Sequence, residues 1–182
     1  MIGMIGGPAI SGKSEWLIKH LPLLKAAWIG TGDTSIEPMR ARHAYLQNLR
    51  KNMSPDWGTL ENTELAETIR TTTLSLVAVD SLTCWISRLA VDAAQRQSID
   101  QVAHILSKEC HHLLHILKEH DSLGRDIWLV SNEIGTSLPS PHPIERLIRE
   151  ANGRLNCQIA SLAQEVVRMD FGIPSRIKGS PR

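Results

Sequence analysis

The chain has 182 residues, 42% of them apolar, and its 20 lysines and arginines oppose 19 aspartates and glutamates for a net charge of +1. That length suits one domain (1–182) with a single sizeable core, and the even balance excludes the basic field expected of a nucleic-acid-binding protein. No apolar stretch approaches the ~20 residues of a membrane helix, and the odd, widely spaced set Cys84, Cys110 and Cys157 suits reduced thiols in a cytoplasm, each expected in core packing.

Met1 to Ile5 predicts a short buried strand rather than a signal peptide, since it lacks a charged leader and runs straight into Gly7-Pro8-Ala9-Ile10-Ser11-Gly12-Lys13-Ser14. That stretch is a complete G-x-x-x-x-G-K-[ST] phosphate-binding loop, and Glu15 to His20 opens a helix behind it. Glycines let the backbone wrap phosphate oxygens, and the N–H groups of the helix start point at the anion. Lys13 supplies positive charge for β- and γ-phosphates, and the Ser14 hydroxyl can ligate Mg²⁺. A nucleoside triphosphate, ATP or GTP, is the expected ligand.

Ala26 to Gly30 predicts a second strand, Glu37 to Leu49 a helix, and Lys51 to Gly58 the most loop-like interior stretch. Ser75 to Asp80 is a strongly β-prone run that ends in a carboxylate. In a parallel sheet that end lies beside the phosphate loop, where Asp80 can orient Mg²⁺ together with Ser14. The alternative is that Asp80 caps the helix predicted from Leu82 to Ala94. The Ile99 to His120 helix carries His111 and His115 at i, i+4, without the third ligand a metal site needs.

Asp126 to Ser131 predicts another strand, with Asn132 and Glu133 at the ligand edge. On the Ile144 to Gln164 helix, Arg146, Arg149, Gly153 and Asn156 form a polar stripe. It reads as a solvated face, a phosphate-bearing substrate site or a subunit contact. Glu165 to Met169 predicts a strand, and Val166 to Asp170 with Ser175 to Lys178 flank Phe171-Gly172-Ile173-Pro174 as a hairpin. The five tryptophans read as core. Strands alternating with helices predict an α/β fold of P-loop NTPase type: a mainly parallel sheet flanked by helices, with a C-terminal β-hairpin.

Several blocks resemble the adenosylcobinamide kinase / adenosylcobinamide-phosphate guanylyltransferase family of cobalamin biosynthesis. They are Gly6 to Ser14, Trp57-Gly58-Thr59-Leu60-Glu61, Val79-Asp80-Ser81-Leu82-Thr83-Cys84-Trp85, Val130-Ser131-Asn132-Glu133-Ile134-Gly135, and Arg149 to Asn156. The resemblance implies transfer of the γ-phosphate of ATP or GTP to the aminopropanol hydroxyl of adenosylcobinamide, a corrinoid. It further implies guanylylation of a histidine and passage of GMP to the new phosphate, in a homo-oligomer, a trimer in the family. It also implies nucleotide contacts at Thr31, Gly32, Asp33 and Glu61, beside those of the loop and Asp80.

Met39, Arg42 and Arg50 match the family's helix without a gap, which puts Tyr45 where the family carries its histidine. His43, about 200° round the helix from Tyr45, is expected to face away. Ile10 and Pro38 also depart from the family, at a loop arginine and a glutamate. The expected activity is therefore the kinase half, with Lys13, Ser14 and Asp80 as its machinery. The other reading is a nucleotide-binding member with a regulatory or scaffolding role.

Overall fold

The computed structural model describes residues 1–21, 26–53, 57–61, 64–136 and 138–179. Among these, seven strands form one sheet in the order β3-β2-β4-β5-β1-β6-β7. The strands are β1 (Ile2–Gly6), β2 (Ala26–Gly30), β3 (Gly58–Glu61), β4 (Leu76–Asp80), β5 (Asp126–Val130), β6 (Glu165–Asp170) and β7 (Ile173–Lys178). All neighbours pair parallel except β6 with β7. The helices are α1 (Lys13–His20), α2 (Glu37–Met53), α3 (Leu65–Thr71), α4 (Leu82–Ala94), α5 (Ile99–Ser122) and α6 (Pro143–Leu162).

The apolar runs of the central strands follow from burial on both faces. Val77 and Val79 of β4, Ile127 and Leu129 of β5 and Met4 of β1 pack under α3, α4, α5 and α6. The alternate residues Leu76, Ala78, Trp128, Val130 and Ile5 pack under α1 and α2. A fully buried aliphatic side chain contributes about 1.5–3 kcal/mol, so these two cores hold the sheet between its helical layers.

Gly3 shows how tightly one core is filled. A methyl group on it would lie 2.6 Å from the Trp128 ring of the neighbouring strand.

Several elements differ from the sequence expectations. α2 runs on through Lys51 to Met53, so the start of the expected loop is helical; residues 54–56 of that stretch lie outside the described residues. The edge strand β3 and the short helix α3 carry no signal strong enough to announce them. β3 is four residues with a single apolar side chain, Leu60, and α3 is two turns whose Leu65, Ala66 and Ile69 fill one core. The hairpin turn is two residues, Phe171 and Gly172 with φ of 52° and 80°, so Ile173 and Pro174 belong to β7. Both residues at positive φ suit the right-handed twist of the flanking strands.

Trp28, Trp57, Trp85 and Trp128 are buried, as expected, while Trp16 is half-buried and stacks on His20 at 4.1 Å. Cys110 is buried and Cys84 half-buried, but Cys157 is exposed, against expectation. On α6 the inward residues are Asn152, Leu155 and Ile159, and two residues from Leu155 is about 200° round the helix.

The expected consequence of the Gly3 contact is that Gly3→Ala costs about 1–3 kcal/mol by overpacking. Denaturant unfolding with an unchanged slope and a lowered midpoint is the check.

Candidate functional site

The phosphate-binding loop leaves the C-terminal end of β1 and turns into α1. Gly7 (φ 141°) and Gly12 (φ 89°) take backbone conformations that favour glycine. At Gly7 the fit is also steric, because a methyl group there would lie 2.3 Å from the Met169 carbonyl oxygen. No side chain caps α1, whose N-cap is Gly12. The N–H groups of its first turn therefore face the loop's hollow, where an anion satisfies them. Ile10 stands at the apex with φ 59° and is 88% exposed. That is a strained conformation for a β-branched residue.

Lys13 is buried and folds back on the loop. Its Nζ donates to the carbonyls of Gly7 (3.1 Å) and Pro8 and to Ser11 Oγ (3.3 Å). Burial pulls its pKa down to about 8, against the attraction of Asp80. Asp80, half-buried at the C-terminal end of β4, has the opposite problem: burial pushes its carboxyl up. The Ser14 hydroxyl bonded to it and the charges of Arg42, Lys13 and Arg50 pull it down. Arg42 Nη2 in turn donates to Ser14 Oγ at 3.1 Å.

The alternative role for Asp80 falls to its neighbour. Ser81 is the N-cap of α4, its Oγ accepting from the Cys84 N–H at 3.4 Å. Asp80 is thus left facing Ser14, and two adjacent oxygen donors of this kind fit a hard divalent cation such as Mg²⁺.

These groups line one cleft of about 550 Å³ between the loop, the sheet edge and α2. Of the α2 residues lining it, Met39, Arg42, His43, Leu46 and Arg50 follow the i, i+3, i+4, i+7, i+11 spacing of one helix face, and Pro38 and Tyr45 line it beside them. His43 lies on that face, against the sequence expectation. A methyl group on Gly30 would sit 3.5 Å from its Cε1, so the imidazole covers the end of β2. Tyr45 borders the cleft from the flank and is 54% exposed. The expectation measured His43 against Tyr45; packing shows that His43 is the residue facing inward.

The remaining candidate residues divide. Thr31 is fully buried, its Oγ1 donating to the Ser81 carbonyl and accepting from the Ser81 N–H at 2.9 Å, while its own N–H donates to the Asp80 carbonyl at 3.0 Å. It braces the backbone that carries Asp80. Gly32 and Ala9 line the cleft. Asp33 is exposed and accepts from the backbone N–H and hydroxyl of Ser35 at 2.9 and 2.6 Å, a turn contact. The Glu61 side chain lies outside the described residues.

Asn132, at the end of β5, lines the cleft and its main chain is fixed from three sides. Its N–H donates to Thr83 Oγ1 at 2.8 Å, and its carbonyl accepts from Asn152 Nδ2 at 2.9 Å and Asn156 Nδ2 at 3.4 Å. Thr83 and Asn152 are joined at 2.9 Å and Ser131 and Asn156 at 2.7 Å.

The arginines of the α6 stripe serve the preceding loop. Arg146 donates to the carbonyls of Ser140 and Pro141, and Arg149 to that of Gly135 at 2.6 Å. His111 bonds to the Ser107 carbonyl and His115 pairs with Glu119. No cluster of three metal-ligating side chains occurs among the described residues. Arg42, His43, Arg50 and the Thr83–Asn152 pair are site residues whose grouping depended on helix register, which the spacing of Met39, Arg42, Leu46 and Arg50 already carried.

A mostly parallel sheet with a lysine-bearing phosphate loop after the interior strand β1 and an aspartate at the end of β4 defines a P-loop α/β protein. The chain belongs to the cobinamide kinase / cobinamide phosphate guanyltransferase family, whose model it matches over residues 3–177. It is 26% identical, over 196 aligned positions, to the bifunctional adenosylcobalamin biosynthesis protein CobU of Salmonella typhimurium, covering 98% of this chain and all of that protein. Among solved structures, it is similar in fold to the flagellar accessory protein FlaH of Methanocaldococcus jannaschii. The TM-score is 0.51 with 14% identity, over 98% of this chain and 78% of the other.

The two perturbed groups give opposite linkages. Lys13 has a folded pKa of about 8 below its ordinary 10.5, so the unfolded chain binds more protons between those values. Stability of the ligand-free protein should therefore rise with pH from about 8 to about 10.5, and Lys13→Ala should flatten that rise. Asp80 is shifted upward, so its ionised form is a burden on the fold above the carboxylate range. Asp80→Asn should leave the melting temperature at pH 7 equal or higher. Thermal melts of the three proteins across pH 6 to pH 10.5 check both signs.

Proposed function

We propose that this protein is an adenosylcobinamide kinase, passing the γ-phosphoryl group of ATP or GTP to the aminopropanol hydroxyl of the corrinoid. The observation that carries the reading is the meeting of Lys13, Ser14 and Asp80 in one cleft. The family supports the acceptor class. In this reading the backbone of Gly7 to Ser14 cradles the phosphates. Lys13 exchanges its loop carbonyls for β- and γ-phosphate oxygens, which raises its pKa again. Arg42 adds charge from α2, and Asn132 faces the acceptor side.

The acceptor oxygen bonds to Pγ while the bond from Pγ to the bridging oxygen breaks, and the nucleoside diphosphate leaves. Transfer of this kind is accelerated by positioning and by neutralising charge on the phosphoryl oxygens. Mg²⁺, held by Ser14 and Asp80, would supply further neutralisation. Gly32, the Thr31 brace and Glu61 complete the proposed nucleotide surroundings, and Asp33 acts through the turn it closes. The proposal further takes 1–182 as one nucleotide-binding domain of a cytoplasmic homo-oligomer. Among the described residues no helix is long and apolar enough to cross a membrane.

The inward placement of His43 favours a second activity of the same site. There an imidazole nitrogen attacks Pα of GTP, pyrophosphate leaves, and the GMP passes on to the phosphorylated corrinoid. Tyr45, read at the family's histidine position, is a poor substitute because attack by its phenol oxygen would give a stable phosphodiester, whereas an imidazole nitrogen gives a labile phosphoramidate.

Lys13→Ala and Asp80→Asn should each lower kinase turnover by roughly 10²-fold or more, with folded protein by circular dichroism. Full turnover in Lys13→Ala would remove the kinase assignment. Incubation with α-labelled GTP separates the two activities. Acid-labile label on the wild type that His43→Ala loses establishes guanylyl transfer through His43. An unlabelled wild type that still phosphorylates adenosylcobinamide leaves the kinase alone.

A further inference from the structure

Arg50 is a buried cation that the kinase machinery does not use. It is 2% exposed, in the last turns of α2, and lines the cleft. Its guanidinium lies 4.5 Å over the Trp28 ring, and Nη2 donates to Thr59 Oγ1 at 2.9 Å. Nε is buried without a hydrogen-bond partner. Among the described residues no carboxylate pairs with Arg50. The anion that acts on it is Asp80, which also answers Lys13 and Arg42. Burial accordingly pulls even this guanidinium down to about 10.

A buried charge normally has a partner, since desolvation without one is costly. Stacking on Trp28, one neutral hydroxyl and the distant, shared Asp80 offset part of that cost and leave the guanidinium without a carboxylate of its own among the described residues. Position says what kind of partner fits. Arg50 stands eight residues beyond Arg42, about 12 Å along the helix axis, and Arg42 is the residue bonded to Ser14 of the loop. A phosphate seated in the loop is served by Lys13, Arg42 and the α1 amides. Arg50 serves a different part of the cleft, walled by Trp28 and Leu46. A planar guanidinium braced on an indole face and shielded from water is suited to paired hydrogen bonds with a phosphate.

We infer that Arg50 receives a phosphate monoester distinct from the nucleotide phosphates held by the loop. The cleft then holds two phosphate-bearing ligands at once, one at each cationic end. The inference rests on the proposed function for the source of that monoester, the phosphorylated corrinoid, and not for the site itself.

The test is phosphorus NMR of inorganic phosphate titrated into protein loaded with Mg²⁺ and β,γ-imido-GTP, so that the loop is occupied. Wild type should give saturable broadening of the phosphate resonance. Arg50→Met should weaken that binding about tenfold or more, and by more than it weakens binding of the nucleotide analogue. Arg50→Lys, which keeps the charge and loses the fork, should also weaken it and stands in if Arg50→Met does not fold.

Lys13→Ala should lose the nucleotide analogue and keep the phosphate, so failure of the loop reading is distinguishable from failure of this one. Absence of saturable phosphate binding to the loaded wild type overturns the inference. So does phosphate binding unchanged in both Arg50 variants, or an Arg50 variant that loses the nucleotide instead.

Discussion

Buried positive charge gathered around one carboxylate is the constraint on which the site depends. Lys13, Arg42 and Arg50 all act on Asp80, and burial displaces Lys13, Arg50 and Asp80 from their ordinary titration. Burying charges in low dielectric is tolerated where they are paired or await a counter-ion. A cleft with three cations and one anion is electrostatically incomplete by itself and complementary to a ligand of several negative charges. The polarised groups are held ready by the fold, so little reorganisation is needed when a phosphate arrives.

The fold serves that arrangement through its two faces. Helices α3, α4, α5 and α6 form the heavier cover on one side, while α1 and α2 close the other. The cleft opens on the lighter side. There the loop, the end of β4 and the inward face of α2 converge, as expected for ligands at the C-terminal edge of a parallel sheet. Its supports come from the heavier side: Thr83 of α4 and Asn152 and Asn156 of α6 hold the main chain of Asn132. Ser81 caps α4 and leaves Asp80 free. Substitutions in those supports act on the site through geometry, with no contact to a ligand.

Membership of the cobinamide kinase / cobinamide phosphate guanyltransferase family and the layout of the cleft are mutually consistent. Within the cleft, Lys13, Ser14 and Asp80 meet beside Ile10 at the exposed loop apex, while α2 brings His43 inward and leaves Tyr45 largely exposed.

Local sequence determined the phosphate loop, the strands β1, β2, β4, β5 and β6, the long helices and the hairpin. Each is written in a short contiguous pattern: glycines at special φ, runs of β-branched residues, or apolar residues at helical spacing. Asp80 was legible too, since a carboxylate closing a buried strand has one place to go. Tertiary structure decided the rest. β3 is an edge strand with little apolar content, and its existence depends on pairing with β2. Cys157 is turned outward because α6 buries Leu155 and Ile159 instead. His43 faces the cleft and Tyr45 its flank because α2 lays Leu46 and Arg50 against Trp28, which sets the rotation of the whole helix. Spacing gives angles between residues on a helix, but only packing against a neighbour gives that helix its absolute rotation.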